Sequence, residues 1–404
     1  MKGHFDIAII GGGLVGASLA CAFSGRGLDI LMIEAHPLRE PGQPSYDDRT
    51  LALADASCRI LDEIGLWPGV KSGVTPIREV HVSAMGRFGT ARIRAEDFNL
   101  PALGHVVEGR VIGQAVVERL KHTRDITMLA PAKLEGFEAG DEQVDLSISV
   151  DDQKESVTAS VLVGADGADS FVRQSLGLEV LERDYRQTAV IANVTPEGDH
   201  AGRALERLTP TGPMALLPHQ GSRVGSVWVT ETAHAEDLLD ASDEAFLEAL
   251  QERCGYRLGR LTKLGKRASY PLRLVYCPEA VAGRCVLIGN AAHTIHPVGA
   301  QGFNLGLRDV ANLVDVLAGQ GFEAAAVPER LVGYQARRRR DQSRIVGFTD
   351  TLIDAFAIRS PLVAGLSSAA MIALDRIPPL KAAFARRTMG YGDPLPSLAE
   401  PSEA

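Results

Sequence analysis

Three glycine-bearing turns hold most of the residues in this 404-residue chain whose types and spacing suit chemistry. The first is GGGLVG at 11–16, which sets Gly11, Gly13 and Gly16 in GxGxxG spacing directly behind the apolar run FDIAII. Such a β-branched run suits a central parallel strand. Gly11 permits a tight turn, Gly13 lets the backbone approach a pyrophosphate, and Gly16 permits close helix–strand packing. A helix starting near Leu14 then aims its free N–H groups and partial positive charge at phosphate. A second strand, DILMI, ends in Glu34, eighteen residues beyond Gly16. An acid near that distance suits a plain ribose diol and repels a 2′-phosphate. This stretch predicts a bound dinucleotide, FAD or NAD rather than NADP.

The second turn lies in SVLVGADGADSFVR, 160–173, where a strand at Val161–Val163 runs into Gly164, Asp166 and Gly167. A helix is expected from Asp169 or Ser170, with Arg173 following. The third lies in RCVLIGNAAHTIHPVGAQGFNLGLRD, 284–309. There an apolar strand, Cys285–Ile288, enters a turn at Gly289, and a second turn, GAQG at 299–302, feeds a helix near Phe303. Free N–H groups at that helix start would stabilise negative charge on a neighbouring ligand, as an oxyanion hole does.

In order and separation, these GxGxxG, DG and GD-type motifs resemble the FAD-dependent aromatic hydroxylases with the p-hydroxybenzoate hydroxylase fold. Within that family the NAAHTIHPVGAQGFNLGLRD string, DRTLAL at 48–53, GPMALLP at 212–218 and DRIPPLKAAFARRTMG at 375–390 look most like the ubiquinone-biosynthesis hydroxylases. One departure stands out. Asn290 occupies the place where the family usually carries aspartate against the ribityl chain. Asparagine keeps a carbonyl acceptor and adds a donor but loses the charge. The variant leans toward the branch acting on 2-polyprenyl-6-methoxyphenol. Ala300 is a milder change, a small residue that still fits beneath a flavin.

The resemblance implies an α/β architecture: a Rossmann-like FAD-binding domain, an inserted mixed β-sheet substrate domain and a helical C-terminal region. The FAD-binding parts are expected at 1–72, 100–180 and 275–330, the substrate sheet at 73–99 and 181–274, and the helical region at 331–404. Cofactor contacts are expected from Gly11, Gly13, Gly16, Glu34, Arg49, Arg110, Asp166, Gly167, Gly289, Asn290, Gln301, Gly302 and Asn304. Arg49 precedes an apparent helix and Arg110 sits at a helix start. A surface arginine is the plain alternative for both. His296, Pro297 and Gly299 are the candidates for packing against the flavin face, with Pro297 equally readable as a turn former.

The implied reaction inserts one oxygen atom from O₂ into a phenol ring, with electrons from NAD(P)H or another donor. The implied substrate is a prenylated phenol, met in a membrane-adjacent apolar tunnel, with a ubiquinone-biosynthesis complex as a further partner. The cofactor carries the hard chemistry, so no short acid/base motif is expected. A quinone or prenyl reductase and a redox-inactive flavin scaffold stay open as alternatives. A flavin halogenase does not, because its WxWxIP motif needs paired tryptophans and only Trp67 and Trp228 exist.

The rest of the chain bounds these readings. Apolar residues make up 45% and charged residues 23%, as in soluble globular proteins. A net charge of −9 argues against nucleic-acid binding, which needs a basic footprint. The five cysteines show no zinc-like spacing and read as buried thiols in a reducing compartment. Phe5–Phe23 is poor in charge, yet its aspartate and glycines fit neither a signal peptide nor a membrane span. HTIH sets His293 and His296 three apart, as on a helical face, but no third ligand accompanies them and no metal site is expected. The cytoplasm is the expected location, with peripheral contact at the inner membrane.

The elements that must position the turns are also legible. QVDLSISV at 143–150 alternates as a half-exposed strand. Strands are further expected at 188–194, 223–229 and 270–274, and helices at 243–253, 303–318 and beyond 330. Arg337–Arg340 spans a whole helical turn, so its members cannot share one face. It reads as a solvated helix or as a contact for anionic lipid or a partner. PLVAGLSSAAMIAL, 361–374, is too short to span a bilayer and reads as a core helix or a docking surface.

Overall fold

A computed structural model describes residues 3–38, 45, 47–358, 360–392 and 394–400. Its central layer holds five parallel strands in the order Cys285–Leu287, Gln153–Gly164, His4–Ile10, Ile30–Ile33 and Ile126–Leu129. These strands are apolar on both faces because both faces are covered. The helices Leu14–Phe23, Gly109–Lys121 and Gly302–Ala318 pack on one side. On the other, the strands Ala132–Ala139 and Val144–Val150 run antiparallel from Gln153–Gly164 and share its core. Val144–Val150 begins with strict alternation of buried and exposed residues, as its sequence predicts.

A second, nine-stranded mixed sheet runs in the order His293–Thr294, Ala268–Tyr276, Leu181–Pro196, Val224–Glu231, Met214–Pro218, Arg203–Leu208, Glu79–Ala84 and Thr90–Arg94, with Leu261–Leu264 beside Leu181–Pro196. The helices Thr232–Asp240 and Asp243–Cys254 cover one of its faces. Between the two large sheets lies a small one, Thr50–Ala54, Gly104–Glu108 and Thr75–Ile77. Thr75–Ile77 therefore does not join the substrate sheet expected for 73–99; only Glu79–Ala84 and Thr90–Arg94 do. Arg49 likewise precedes a strand, the helix beginning later at Asp55.

The C-terminal region is helical, as expected, through Val327–Ala357, Pro361–Arg376 and Pro378–Thr388. Arg337, Arg339 and Arg340 face outward while Arg338 is buried, so one member of the arginine run belongs to the core. Pro361–Arg376 buries Met371 but leaves Leu362 and Leu366 well exposed, which a core helix would not. Among the described residues no helix is long and apolar enough to cross a membrane. All five cysteines are buried and unpaired.

Candidate active site

The GxGxxG turn assigns a separate task to each glycine. Gly11 has φ of 104°, and a Cβ there would lie 2.4 Å from the Ala165 carbonyl oxygen. A Cβ on Gly16 would lie 2.0 Å from the Gly11 carbonyl oxygen. Both positions are closed to a side chain by the fold itself. Gly13 is different. It is the N-cap of Leu14–Phe23 with φ of −66°, and among the described residues no side chain caps the helix. Among the described residues a Cβ there would meet only Ser45, at 3.2 Å from its Oγ. The helix start is thus left open to an outside acceptor.

Glu34 is buried beside this turn. Its Oε2 accepts from the Gly12 N–H at 2.6 Å and its Oε1 from the His36 N–H at 2.7 Å. These bonds fix the carboxylate at the end of the second strand, where a ribose diol needs it. Gly11, Gly13, Glu34, Arg49, Asp166 and Gly167 come together as the wall of one cleft of about 1030 Å³. That is the upper range for small-molecule sites. The opposite wall comes from the nine-stranded sheet and includes Ile191, Asn193, Val227 and Tyr270. Backbone approach at Gly13, an uncapped helix start, an oriented acid and a cleft of this size fit FAD.

Asp166 has a second occupation. Its Oδ1 accepts from the Ser170 hydroxyl and its Oδ2 from the Val172 N–H, so it also fastens the start of the helix Phe171–Ser175. Arg110 stands behind the cleft rather than on it. Its guanidinium pairs with Asp48 and Glu108, and its N–H donates to the Asp47 carbonyl, steadying the segment that carries Arg49. Arg49 pairs with Asp47 at 2.6 Å.

The third cluster adjoins the first through Val15. A Cβ on Gly289 would approach the Val15 side chain to 3.1 Å, and one on Gly306 to 2.7 Å. Arg173 links it to the second, donating to the Ala291 and Ala168 carbonyls at 2.8 and 2.7 Å. Asn290 is exposed in the turn Gly289–Ala291. Asn304 is buried and fully engaged: its Oδ1 accepts from Ala54, and its Nδ2 donates to the carbonyls of Ala52 and Ala300. It ties the strand Thr50–Ala54 to the turn before Gly302. Gln301 donates to the Gly299 carbonyl. Gly299 and Ala300 both have positive φ, 72° and 52°, which alanine adopts only under strain.

His293 and His296 do not share a helical face. His293 lies in a two-residue strand and His296 in the turn after it. The His296 ring is fully buried, with Nδ1 accepting from the Val298 N–H and Nε2 facing Gln187 at 3.3 Å. Burial pushes its pKa down to about 4, the nearby Asp350 opposing only weakly. The ring is neutral and sits behind the Pro297–Gln301 turn as a support.

Sequence reasoning missed Asp309. It is fully buried and accepts from the Gly289 N–H at 2.9 Å, from Arg338 Nε at 2.8 Å and from Gln342 at 3.0 Å, and pairs with His293 at 2.5 Å. Burial alone would raise its pKa. The charges of His293 and Arg338 outweigh burial and hold the carboxyl well below the usual range. Asp309 thereby anchors the Gly289 turn to the C-terminal helix. The available signal was an acid in an apolar slot, four residues after Leu305 and four before Leu313, both buried.

Residues 4–349 match the model of the FAD binding domain family. The chain belongs to this family. It is an FAD-dependent monooxygenase with hydroxylases among its relatives. Over 95% of its length it is 36% identical to the ubiquinone hydroxylase UbiL of Rhodospirillum rubrum, covering 89% of that protein. It is 31% identical to the 3-demethoxyubiquinol 3-hydroxylase of Escherichia coli, over 95% of this chain and 98% of that one. The fold matches the p-nitrophenol 4-monooxygenase PnpA of Pseudomonas putida with a TM-score of 0.77 at 18% identity, covering 96% of this chain and 99% of that one.

Proposed function

We propose that this monooxygenase hydroxylates the aromatic ring of a polyprenylated phenol in ubiquinone biosynthesis, taking one oxygen atom from O₂ and electrons from NAD(P)H or another donor. One observation carries the reading: an FAD-fitted cleft in a chain related along nearly its whole length to proteins named as ubiquinone hydroxylases.

When bound, FAD supplies the activation of O₂. The chain supplies binding, orientation and control of charge. Gly11 and Gly13 bring the backbone to the pyrophosphate, and Glu34, already held by two N–H groups, takes the ribose hydroxyls. Asn290 serves the ribityl chain with its carbonyl and amide. The helix Gly302–Ala318 has no side-chain cap, so its first N–H groups are left to stabilise negative charge on the ring system. His296, Asn304 and Asp309 hold that segment from behind. The same reading puts the protein in the cytoplasm, working against the inner membrane that stores a lipophilic substrate, beside other enzymes of the pathway.

Turnover of a prenylated phenol under ¹⁸O₂ tests this. One ¹⁸O atom per product molecule is expected. Consumption of reductant with quinone reduction and no label would instead mark a reductase. A flavin that no reductant bleaches would mark a scaffold.

A further inference from the structure

Strand Arg203–Leu208 separates its side chains cleanly between two faces. Leu205 packs with Met214, Trp228 and Phe246 on the side of the two covering helices. Ala204 and Leu208 face the other way, Ala204 with Val106 and Leu208 with Val298. Glu206 lies between those two and shares their face. In register, Glu206 stands between Val82 and Ala215. The same row continues through Ala215 to Val227, Ile191 and Ala268. These last three line the FAD-fitted cleft. With strands about 4.8 Å apart, Glu206 stands about 10 Å along the sheet from Val227. Only the small side chain of Ala215 intervenes.

Two elements lie over this part of the sheet. Ala52, from Thr50–Ala54, packs over the Ala204 side, and Val298, from the Pro297–Gln301 turn, packs over the Leu208 side. Asn304 binds these two elements to each other. Glu206 therefore faces the seam between the strand that follows Arg49 and the turn that carries Gly299. A crevice of about 20 Å³ opens on the same face, lined by Leu208, Pro213, Val298 and Leu352 among others. As it stands it has room for about one water molecule.

The Glu206 side chain is half-buried on this apolar face, and among the described residues no hydrogen bond or ion pair reaches its carboxyl. Burial pushes its pKa up to about 8 and is the sole cause. The charged groups of the packed elements are turned to other partners. Asp350 and Asp354 pair with Arg183, Arg49 pairs with Asp47, and Arg87 donates to Ser367. A half-buried carboxyl with no partner gains nothing from its apolar neighbours, so packing gives no reason for it. A group of that kind beside a cofactor cleft is where functional sites concentrate.

We propose that Glu206 is a substrate-contacting residue that takes the ring hydroxyl of the phenol to be hydroxylated. An apolar seam with a single carboxyl matches an apolar ring with a single hydroxyl. In the step it performs, the phenolic O–H bond breaks as the carboxylate O–H bond forms. The ring is left as the electron-rich phenolate, and no electrons change hands. In its protonated form Glu206 donates to the same oxygen instead. The inference rests on the phenol-hydroxylase reading above.

The test needs binding and not turnover. FAD-loaded wild type, Glu206→Gln and Glu206→Leu are titrated by calorimetry with 2-allylphenol and with its methyl ether, from pH 6 to 9. Wild type is expected to prefer the phenol by about tenfold or more, as for loss of one hydrogen bond to an ionisable group, and the preference should grow as pH passes about 8. Glu206→Leu should bring the preference within twofold. Glu206→Gln should keep part of it without the pH dependence. An unchanged preference in Glu206→Leu overturns the proposal, as does a wild type with no preference or no binding. Should Glu206→Leu fail to load FAD, the pH dependence in Glu206→Gln decides. The ¹⁸O₂ experiment reads independently: a Glu206-dependent preference without label incorporation refutes the hydroxylase and leaves a phenol-binding carboxyl.

Discussion

Gly13→Val separates cofactor binding from folding more sharply than any other change in the GxGxxG turn. The backbone at Gly13 has an ordinary negative φ, and among the described residues a Cβ there meets only the Ser45 side chain, at a distance that a small shift relieves. Replacing the N-cap glycine by valine then costs about 1 kcal/mol of stability at most. The added side chain projects into the cleft where the pyrophosphate must approach. Overpacking at such a contact costs about 1–3 kcal/mol, and one lost charge-assisted hydrogen bond about 1.5–3 kcal/mol. Together these lower FAD affinity by roughly two to four orders of magnitude. Gly16→Val behaves in the opposite way, because its Cβ would sit 2.0 Å from a backbone oxygen and the fold itself must give. The assay is FAD fluorescence quenching on cofactor-stripped protein, paired with a thermal melt of the same samples. The expected result is a colourless Gly13→Val with a near wild-type melt, and a Gly16→Val that melts far lower. Wild-type FAD affinity in Gly13→Val, or a melt lowered as far as in Gly16→Val, would refute the reasoning.

The remaining predictions concern the carboxylates and the unusual asparagine. Glu34→Ala should weaken FAD about tenfold to a hundredfold and, by removing two hydrogen bonds from backbone N–H groups, cost about 1–3 kcal/mol of stability; flavin retention after dialysis and a urea titration read the two effects. Asp309→Ala leaves Arg338 buried without this partner and should destabilise the protein by about 3–5 kcal/mol. Because the folded Asp309 carboxyl is held low, its contribution is complete above the unfolded value of about 3.9 and fades as pH falls toward the folded one. The gap between wild type and Asp309→Ala in acid unfolding should therefore narrow below about pH 4. Asn290→Asp introduces, at an exposed position, the aspartate that the sequence resemblance leads one to expect there and should stay active; a variant that binds FAD normally but turns nothing over would show that the residue has another role.

The sequence by itself determined the local units. A strand, a glycine turn, a helix and an acid follow one another within Phe5–Glu34, and each is set by residues a few positions apart. The alternation in 143–150 and the helices beyond 330 were legible for the same reason: side-chain period reports the element directly. Tertiary structure decided everything that depends on which distant segment arrives. HTIH has helical spacing, yet His293 pairs with Tyr276 in a two-residue strand and then with Asp309. Asn304 and Arg110, read as cofactor contacts, hold backbone and loop segments around the site. Arg338, one of four arginines in a row, is the buried one because the helix turns only that member toward Asp309. Asp309 and Glu206 sit in slots where their neighbours are apolar, and the pattern marks such acids as inward-facing. Whether an inward acid meets a cation or an open seam depends on the element packed opposite, and no local rule carries that information.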